Sequence, residues 1–483
     1  MRKAKIVCTI GPASSSLDIL QQLLDRGMDV ARLNFSHGTL DQHAATMALI
    51  RQAASHQGRA VAILQDLQGP RIRLGLLPSE GINLQQDQRV RLVGSALRSG
   101  GQHGYQAGKT VPEIQIPVTY PHLGRDVKPG ARILIDDGLI ELRVLTIESS
   151  DVLCTVVTPG LVLSNKGMNL PGTAISAPTL TDRDREHIRF GVQQGVDYLA
   201  LSFVRGPADI VEARSLLKDC GGDQPIIAKI ERAEAIDKLD AILDETDGVM
   251  IARGDLGVEM GPEIVPILQK RIISQANRRR RLVITATQML ESMTRSPRPT
   301  RAEASDVANA VFDGTDAVML SAETAIGQYP VEAVRVMDRI VQTAEVETGP
   351  KFVRRAQPDQ GRMSFPEAIS TSASTAAAAI GAGAIVVFSE KGMTARLVSK
   401  QRPAAPIIAF TPFEPVRQRM ALYWGVLPHT MAQIAQTDER INEAERRLKA
   451  EGLAKAGQRI VILSGTRIGW PGGTNLMKLH EVG

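Results

Sequence analysis

Eight short apolar runs, spaced between Lys5 and Ala322, constrain the fold of this chain more than any other feature. They read KIVCTI at 5, DVARLNF at 29, VAILQDL at 61, DYLALSF at 197, PIIAKI at 225, DGVMIA at 247, RLVITAT at 281 and DAVMLSA at 316. Each has the length of a strand and is apolar almost throughout rather than at every second position. Strands of that kind are buried on both faces, which implies parallel sheet covered by helices. Amphipathic stretches such as SLDILQQLLDRG, DREHIRFGVQQG and EAVRVMDRIVQTAE supply the helices. Eight strand–helix units predict an α/β chain built on a (β/α)8 TIM barrel. A doubly wound open sheet fits less well, since no GxGxxG follows the first run and the count of eight goes unexplained.

One interval breaks the rhythm. Residues 71–170 carry alternating patterns (RVRLVG, RILIDDGLIELRVLTIE, VLCTVVTPG) with Gly and Pro turns and little helix. This reads as a small all-β domain inserted after the third barrel strand, at the barrel mouth, where it would act as a lid. The barrel then comprises residues 1–70 and 171–345. From 346 to 483 the composition shifts to STSASTAAAAIGAG, and parallel-strand signals resume at AIVVFSE, PIIAFTP and RIVILSG, a third domain of α/β type.

Composition removes several function classes. At 483 residues the chain exceeds a single ordinary core. Its 57 Lys and Arg against 52 Asp and Glu leave a net charge of +5, and aromatics are only 3% of residues. A modest positive charge suits anionic small molecules, and so few aromatics give no base-stacking platform, so no nucleic-acid partner is expected. Cys8, Cys154 and Cys220 form no CxxC pair, which fits a reducing cytoplasm. The apolar start of MRKAKIVCTIGPASS stops at Gly11–Pro12, too soon for a signal peptide, and no run reaches membrane-spanning length. The run RRRR at 278–281 is expected to be a solvated helix end.

Chemistry in such a barrel collects where strands end. Those ends hold Arg32, Asn34, Ser36 and His37, then Asp66, Ser202, Lys229 with Glu231, Arg253 with Asp255, Thr287 with Gln288, and Ser321 with Glu323. In AKIERAEAIDK, Lys229 and Glu231 are two apart, so on a strand they share a face. Glu231 and Asp255, on successive strand ends, are hard oxygen donors suited to Mg²⁺ or Mn²⁺. Lys229, with Arg32 and Arg73 across the mouth, would attract a phosphoryl group. In ARGDLGVE a strand passes into a helix whose free N–H groups can hold an anion. A metal and an anion are therefore expected between Lys229 and Glu231.

The segments ARLNFSHG, QDLQGPRIR, NKGMNLPG, AKIERAEA, MIARGDLGVE, TATQMLESM, PTRAEASDVANAV and DGTDAVMLSAETAIGQYP closely resemble the motifs of the pyruvate kinases, and the resemblance runs from residue 5 to the C-terminus. It implies transfer of a phosphoryl group from phosphoenolpyruvate to ADP, giving pyruvate and ATP, in a cytoplasmic homotetramer. It implies that Glu231 and Asp255 hold the divalent metal and that Lys229 neutralises the phosphoryl and bridging oxygens. The backbone of Ala252, Arg253, Gly254 and Asp255, with Thr287, would cradle the substrate carboxylate and enolate. Thr287 would relay a proton, with Ser321 and Glu323 behind it. Arg32, Asn34, Ser36, His37, Arg73 and Arg183 would face the nucleotide. Potassium-dependent relatives have an acid after the proline of the D-x-x-G-P motif; here Asp66-Leu67-Gln68-Gly69-Pro70 is followed by Arg71. In the monovalent-cation region of Asn34, Ser36, Asp66 and Leu67, Arg71 would then replace K⁺.

In the third domain FSEKGMTAR resembles an effector's phosphate loop, with Ser389, Lys391, Gly392 and Thr394 as donors, and SGTRIGWPGGTN resembles its cover. A sugar monophosphate, fructose 1,6-bisphosphate or AMP would fill it. Two other readings stand beside this one. A metal-dependent pyruvate or enolate aldolase or lyase would leave Arg32, Asn34, His37 and Arg73 idle. A basic scaffold would leave Lys229 and the two acids idle.

Overall fold

The computed structural model describes residues 2–94, 114–352, 363–465 and 473–483. The eight runs become the strands Lys5–Thr9, Val30–Asn34, Ala62–Asp66, Tyr198–Leu201, Ile226–Ile230, Gly248–Ala252, Leu282–Ala286 and Ala317–Leu320. They close into a barrel in chain order, every neighbouring pair parallel. Their β-branched and aliphatic side chains fill both the interior and the space beneath the outer helices.

The helices begin where a short polar side chain can take an orphan N–H. Thr39, Thr181 and Thr300 are N-caps in capping boxes with Gln42, Asp184 and Glu303. Each such cap contributes about 1 kcal/mol. The helices Asp182–Gln194 and Arg301–Asp313 stop at Gly195 and Gly314, both left-handed.

Between the third and fourth barrel strands lie a six-stranded, mostly antiparallel sheet and a two-stranded ribbon around their own apolar cluster. Leu123–Asp126 is the one helix among the described residues there. The outward leg crosses the barrel rim at Gly69, whose φ is +68° and whose Cβ would lie 2.8 Å from Phe203 Cδ2. Only glycine fits there.

The C-terminal part holds a five-stranded sheet in the order Val426–Thr430, Ile407–Thr411, Ala384–Phe388, Arg459–Gly465, Thr474–Glu481. Two of these strands have no counterpart in the sequence reading, and the last is antiparallel, not parallel. Both are edge strands. VLPHT carries Pro428, which an edge tolerates, and TNLMKLHE is half polar because one side lacks a partner strand.

This sheet and its helices dock on the bottom of the barrel. Interior residues Val7, Tyr198, Met250 and Met319 belong to one apolar cluster with Ile385, Leu422 and Tyr423. Tyr198 donates its hydroxyl proton to the Arg419 carbonyl (2.6 Å), and Lys400 Nζ lies 2.5 Å from Asp316 Oδ2 and 2.8 Å from Asn277 Oδ1. In the arginine run 278–281, Arg278 is exposed as a solvated end would be, whereas the other three find partners. Arg279 pairs with Asp240 and Asp244, Arg280 with Glu367, and Arg281 caps the carbonyls of Leu243 and Asp244. Neighbouring elements supply acids and carbonyls that the sequence pattern does not reveal. Among the described residues no helix is long and apolar enough to cross a membrane.

Candidate active site

The fifth barrel strand ends in Lys229-Ile230, and Glu231 follows, so the ammonium and the carboxylate both face the barrel mouth. Lys229 Nζ lies 2.9 Å from Glu231 Oε1 and 3.2 Å from Asp66 Oδ1, and donates to Ser202 Oγ at 2.7 Å. Asp66, ending the third strand, takes Arg32 Nε at 2.7 Å on its other oxygen. Arg32 is fixed further by Thr9 Oγ1 (2.9 Å). Glu231 Oε2 accepts the N–H of Phe203 at 2.8 Å, and Phe203 reaches that position with a φ of +56°.

Burial would pull Lys229 down, but the charges of Asp66 and Glu231 outweigh it and hold the ammonium well above its usual range. Burial would likewise raise Asp66, yet Lys229 and Arg32 keep it below the ordinary carboxylate range. Glu231 goes the other way. Burial raises it, Lys229 opposes, and the Asp255 charge adds to the rise. Two cations, Lys229 and Arg32, thus face three carboxylates, Asp66, Glu231 and Asp255. The surplus negative charge sits on the two acids assigned to the metal, so the donor set fits a divalent cation. Among the described residues no three His, Cys, Asp or Glu side chains converge as a closed metal cage. Mg²⁺ needs none, since it keeps waters and binds through one or two carboxylates plus substrate oxygens.

Asp255 stands in the first turn of the helix Arg253–Met260, directly after the sixth strand. The Gly254 N–H at that helix start donates to Thr287 Oγ1 (2.8 Å), which brings the expected cradle and Thr287 together. Thr287 and Gln288 have φ of +66° and +53°, two successive non-glycine residues in the left-handed region. Strain of that kind persists where surroundings impose it. The Arg253 side chain imposes it, donating to the carbonyls of Ala286 (3.2 Å) and Thr287 (2.7 Å) while paired with Asp306. Arg253 therefore contributes its backbone to the mouth and its side chain to the wall behind. Glu323 accepts the N–H groups of Leu290 (3.0 Å) and Ser321 (2.6 Å), so it braces the loop carrying Thr287. Burial raises its carboxyl above the usual range. The Ser321 hydroxyl is buried and meets no hydrogen-bond partner among the described residues.

On the opposite rim Asn34 Oδ1 accepts the Ser36 N–H (3.2 Å), and His43 Nε2 meets the His37 carbonyl (2.9 Å) while stacking on Phe35. Burial and the charges of Arg73, Arg71 and Arg32 lower the His37 imidazole, so these groups share one neighbourhood. Arg73 enters from the inserted β-domain, its Nη1 on the Asn165 carbonyl (3.1 Å). Arg183 is exposed on the first turn of its helix, near His43 and His187. Leu67 gives its carbonyl to Ser202 Oγ (2.6 Å), and Arg71 Nη2 lies 3.8 Å from Asp137.

Several contributors escaped the sequence reading. Phe203 acts through a backbone conformation that no motif displays. Lys166, paired with Asp136 at 2.9 Å beside the Arg73–Gly167 bridge, adds a cation on the lid side. Its signal was present in NKGMNLPG.

The C-terminal part holds a separate cavity lined by Ser389, Lys391, Thr394, Arg440 and Thr474. Gly392, with φ +78°, is the N-cap of the helix Met393–Lys400 and is not itself among the lining residues. Thr394 Oγ1 lies 2.5 Å from Thr474 Oγ1, and Arg440 stacks over Phe388. Arg440 was not foreseen, whereas Thr474 belongs to the expected cover SGTRIGWPGGTN. Of the expected cover, 466–472 lie outside the described residues.

Comparison with known proteins adds independent findings. Residues 1–334 match the family model described as pyruvate kinase, barrel domain, and residues 367–480 the one described as pyruvate kinase, alpha/beta domain. The chain is 46% identical over 485 residues to a pyruvate kinase of Geobacillus stearothermophilus, covering 100% of this chain and 80% of that protein. It is 41% identical to one of Clostridium perfringens, covering 100% of both. A crystal structure of a pyruvate kinase from Cryptosporidium parvum superposes with a TM-score of 0.91 at 37% identity, covering 100% of this chain and 96% of that one.

Proposed function

We propose, for this chain, which belongs to the pyruvate kinase family, that Lys229, Glu231 and Asp255 form the phosphoryl-transfer centre at the barrel mouth. The enzyme is a phosphotransferase that moves the phosphoryl group of phosphoenolpyruvate to ADP, giving pyruvate and ATP. The observation that carries the assignment of the centre is the ammonium of Lys229 between Asp66 and Glu231, with Asp255 facing the same carboxylate.

Mg²⁺ or Mn²⁺, held by Glu231 and Asp255, would supply positive charge to the enolate and phosphoryl oxygens. Lys229, fully protonated, neutralises the phosphoryl and bridging oxygens, and Arg32 and Arg73 add charge from across the mouth. The N–H groups at the start of the Arg253–Met260 helix receive the substrate carboxylate, Gly254 releasing Thr287 as they do so. Thr287 passes a proton to the enolate carbon, in a loop held by Arg253 and Glu323. Asn34, Ser36, His37 and Arg183 contact the nucleotide. A coupled assay of pyruvate formation from phosphoenolpyruvate and ADP tests the centre. Activity should vanish with a chelator and in Glu231→Gln or Asp255→Asn, and full activity in both variants would refute it.

Potassium is not required in this reading. Asp66 is already paired on both oxygens, and Leu67 O and Asn34 Oδ1 already accept protein donors. Arg71 lies in the same neighbourhood with a fixed charge. The cavity at Ser389, Lys391 and Thr394 takes a phosphorylated effector, and the helix N-terminus capped by Gly392 supports that reading. If the half-saturating phosphoenolpyruvate concentration stays fixed in the presence of fructose 1,6-bisphosphate, sugar monophosphates and AMP, the effector reading fails. Family membership supports a homotetramer working in the cytoplasm.

A further inference from the structure

The fifth strand is followed by two charged residues with different tasks. Glu231 turns toward Lys229, whereas Arg232, in extended backbone with φ −123° and ψ 150°, turns the opposite way. Its guanidinium is buried, with the side chain 6% exposed. Nη2 donates to the Thr173 carbonyl at 2.9 Å and lies 3.7 Å from Glu259 Oε1, while Nε reaches Glu234 Oε2 at 2.7 Å.

Glu259 follows Asp255 by one turn of the helix Arg253–Met260, so the two share a face. Its side chain is 3% exposed, and Oε1 also accepts the Gly172 N–H at 3.4 Å. Gly172 and Thr173 belong to the segment by which the chain returns from the inserted β-domain to the barrel. The same end of the fifth strand and the same helix are thus joined twice. One rung is Glu231 and Asp255, two like charges near enough for the Asp255 charge to act on Glu231. The other is Arg232 with Glu259, two opposite charges that attract and also hold the return segment.

We propose that the Arg232–Glu259 pair is a positioning clasp: it holds the strand end bearing Glu231 and the helix bearing Asp255 at the separation a divalent cation needs, and it ties the return segment of the β-domain to that geometry. In this role both residues act through the elements they join. This rests on the assignment of Glu231 and Asp255 as the metal pair. Without the clasp, repulsion between those acids pushes the two elements apart, and metal binding must pull them back.

The test is titration of the full-length, substrate-free protein with Mn²⁺, free ion being read by electron paramagnetic resonance. Arg232→Gln and Glu259→Gln should each weaken Mn²⁺ binding about tenfold or more, the scale typical of groups that hold metal ligands in place. Arg232→Lys, which restores the charge opposite Glu259, should recover most of it. Glu231→Gln serves as the control. If it abolishes Mn²⁺ binding while Glu259→Gln binds within twofold of the native protein, the clasp is wrong and the metal pair stands. If Glu231→Gln binds normally, the metal pair falls and takes the clasp with it. Should Arg232→Gln fail to fold, Glu259→Gln carries the test, since its amide oxygen still accepts the Gly172 N–H.

Discussion

Lys229 shows how much a single residue can be read from sequence. Its spacing from Glu231 puts both on one face of a strand, and the observed 2.9 Å contact follows from that period of two. Asp255 was legible for a similar reason, at the start of a helix after a strand. Phe203 and Arg232 were not, because a left-handed backbone and a buried guanidinium depend on neighbours distant in the chain. Thr287 carries a sharper consequence. Its hydroxyl lies between the Gly254 N–H and the Ala286 carbonyl (2.7 Å), at the N-terminus of the helix that bears Asp255. Thr287→Ala is expected to slow exchange of the pyruvate methyl protons with deuterated water by about 100-fold, the lower range for a lost proton-transfer group. Exchange at the native rate would remove Thr287 from the proton path.

At the scale of elements, the eight barrel strands were visible because burial on both faces leaves an unbroken apolar run. Edge strands were not, since Val426–Thr430 and Thr474–Glu481 need apolar side chains on only part of their surface. Ion pairs between elements were also hidden. Asp316 precedes the eighth strand and meets Lys400, at the end of the C-terminal helix Met393–Lys400, and Arg402 just beyond it, at 2.5 and 2.8 Å. Burial would raise the Asp316 carboxyl, but Lys400, Arg402 and the Val283 N–H outweigh it and hold it below the usual range. Burial lowers Lys400 to about 8 despite the acid beside it. Asp316→Asn leaves two buried cations without their carboxylate and should cost about 3–5 kcal/mol in urea unfolding. The sign of the pH dependence follows from the low native value. The stability Asp316 contributes is complete above the pKa of the unfolded chain and disappears as pH falls through the native one. Acid unfolding that is identical in native protein and Asp316→Asn would contradict this. Gly392 is tested in the same way. With φ +78° and Tyr423 Oη 3.3 Å from any added Cβ, Gly392→Ala should destabilise by about 1–2 kcal/mol.

Across the whole molecule, the barrel interior and the C-terminal domain share one apolar cluster, so the barrel and the domain that carries the cavity at Ser389, Lys391 and Thr394 form one continuous packed body. The sequence announced three kinds of layer and their order but gave no sign of this joint core, because contacts between domains leave no periodicity. Arg71 stands in the leg leading to the β-domain, and in the proposed role its charge would take the place of K⁺. At fixed ionic strength, exchanging KCl for a bulky organic cation should change turnover less than about twofold, whereas a many-fold rise with K⁺ would return that role to the ion. The central claim is that Lys229 neutralises the moving phosphoryl group beside a metal held by Glu231 and Asp255. Its most direct test is Lys229→Met, measuring turnover and Mn²⁺ binding on the same preparation. The account predicts that turnover falls by at least about 100- to 1,000-fold while Mn²⁺ still binds. Native turnover in that variant would contradict it.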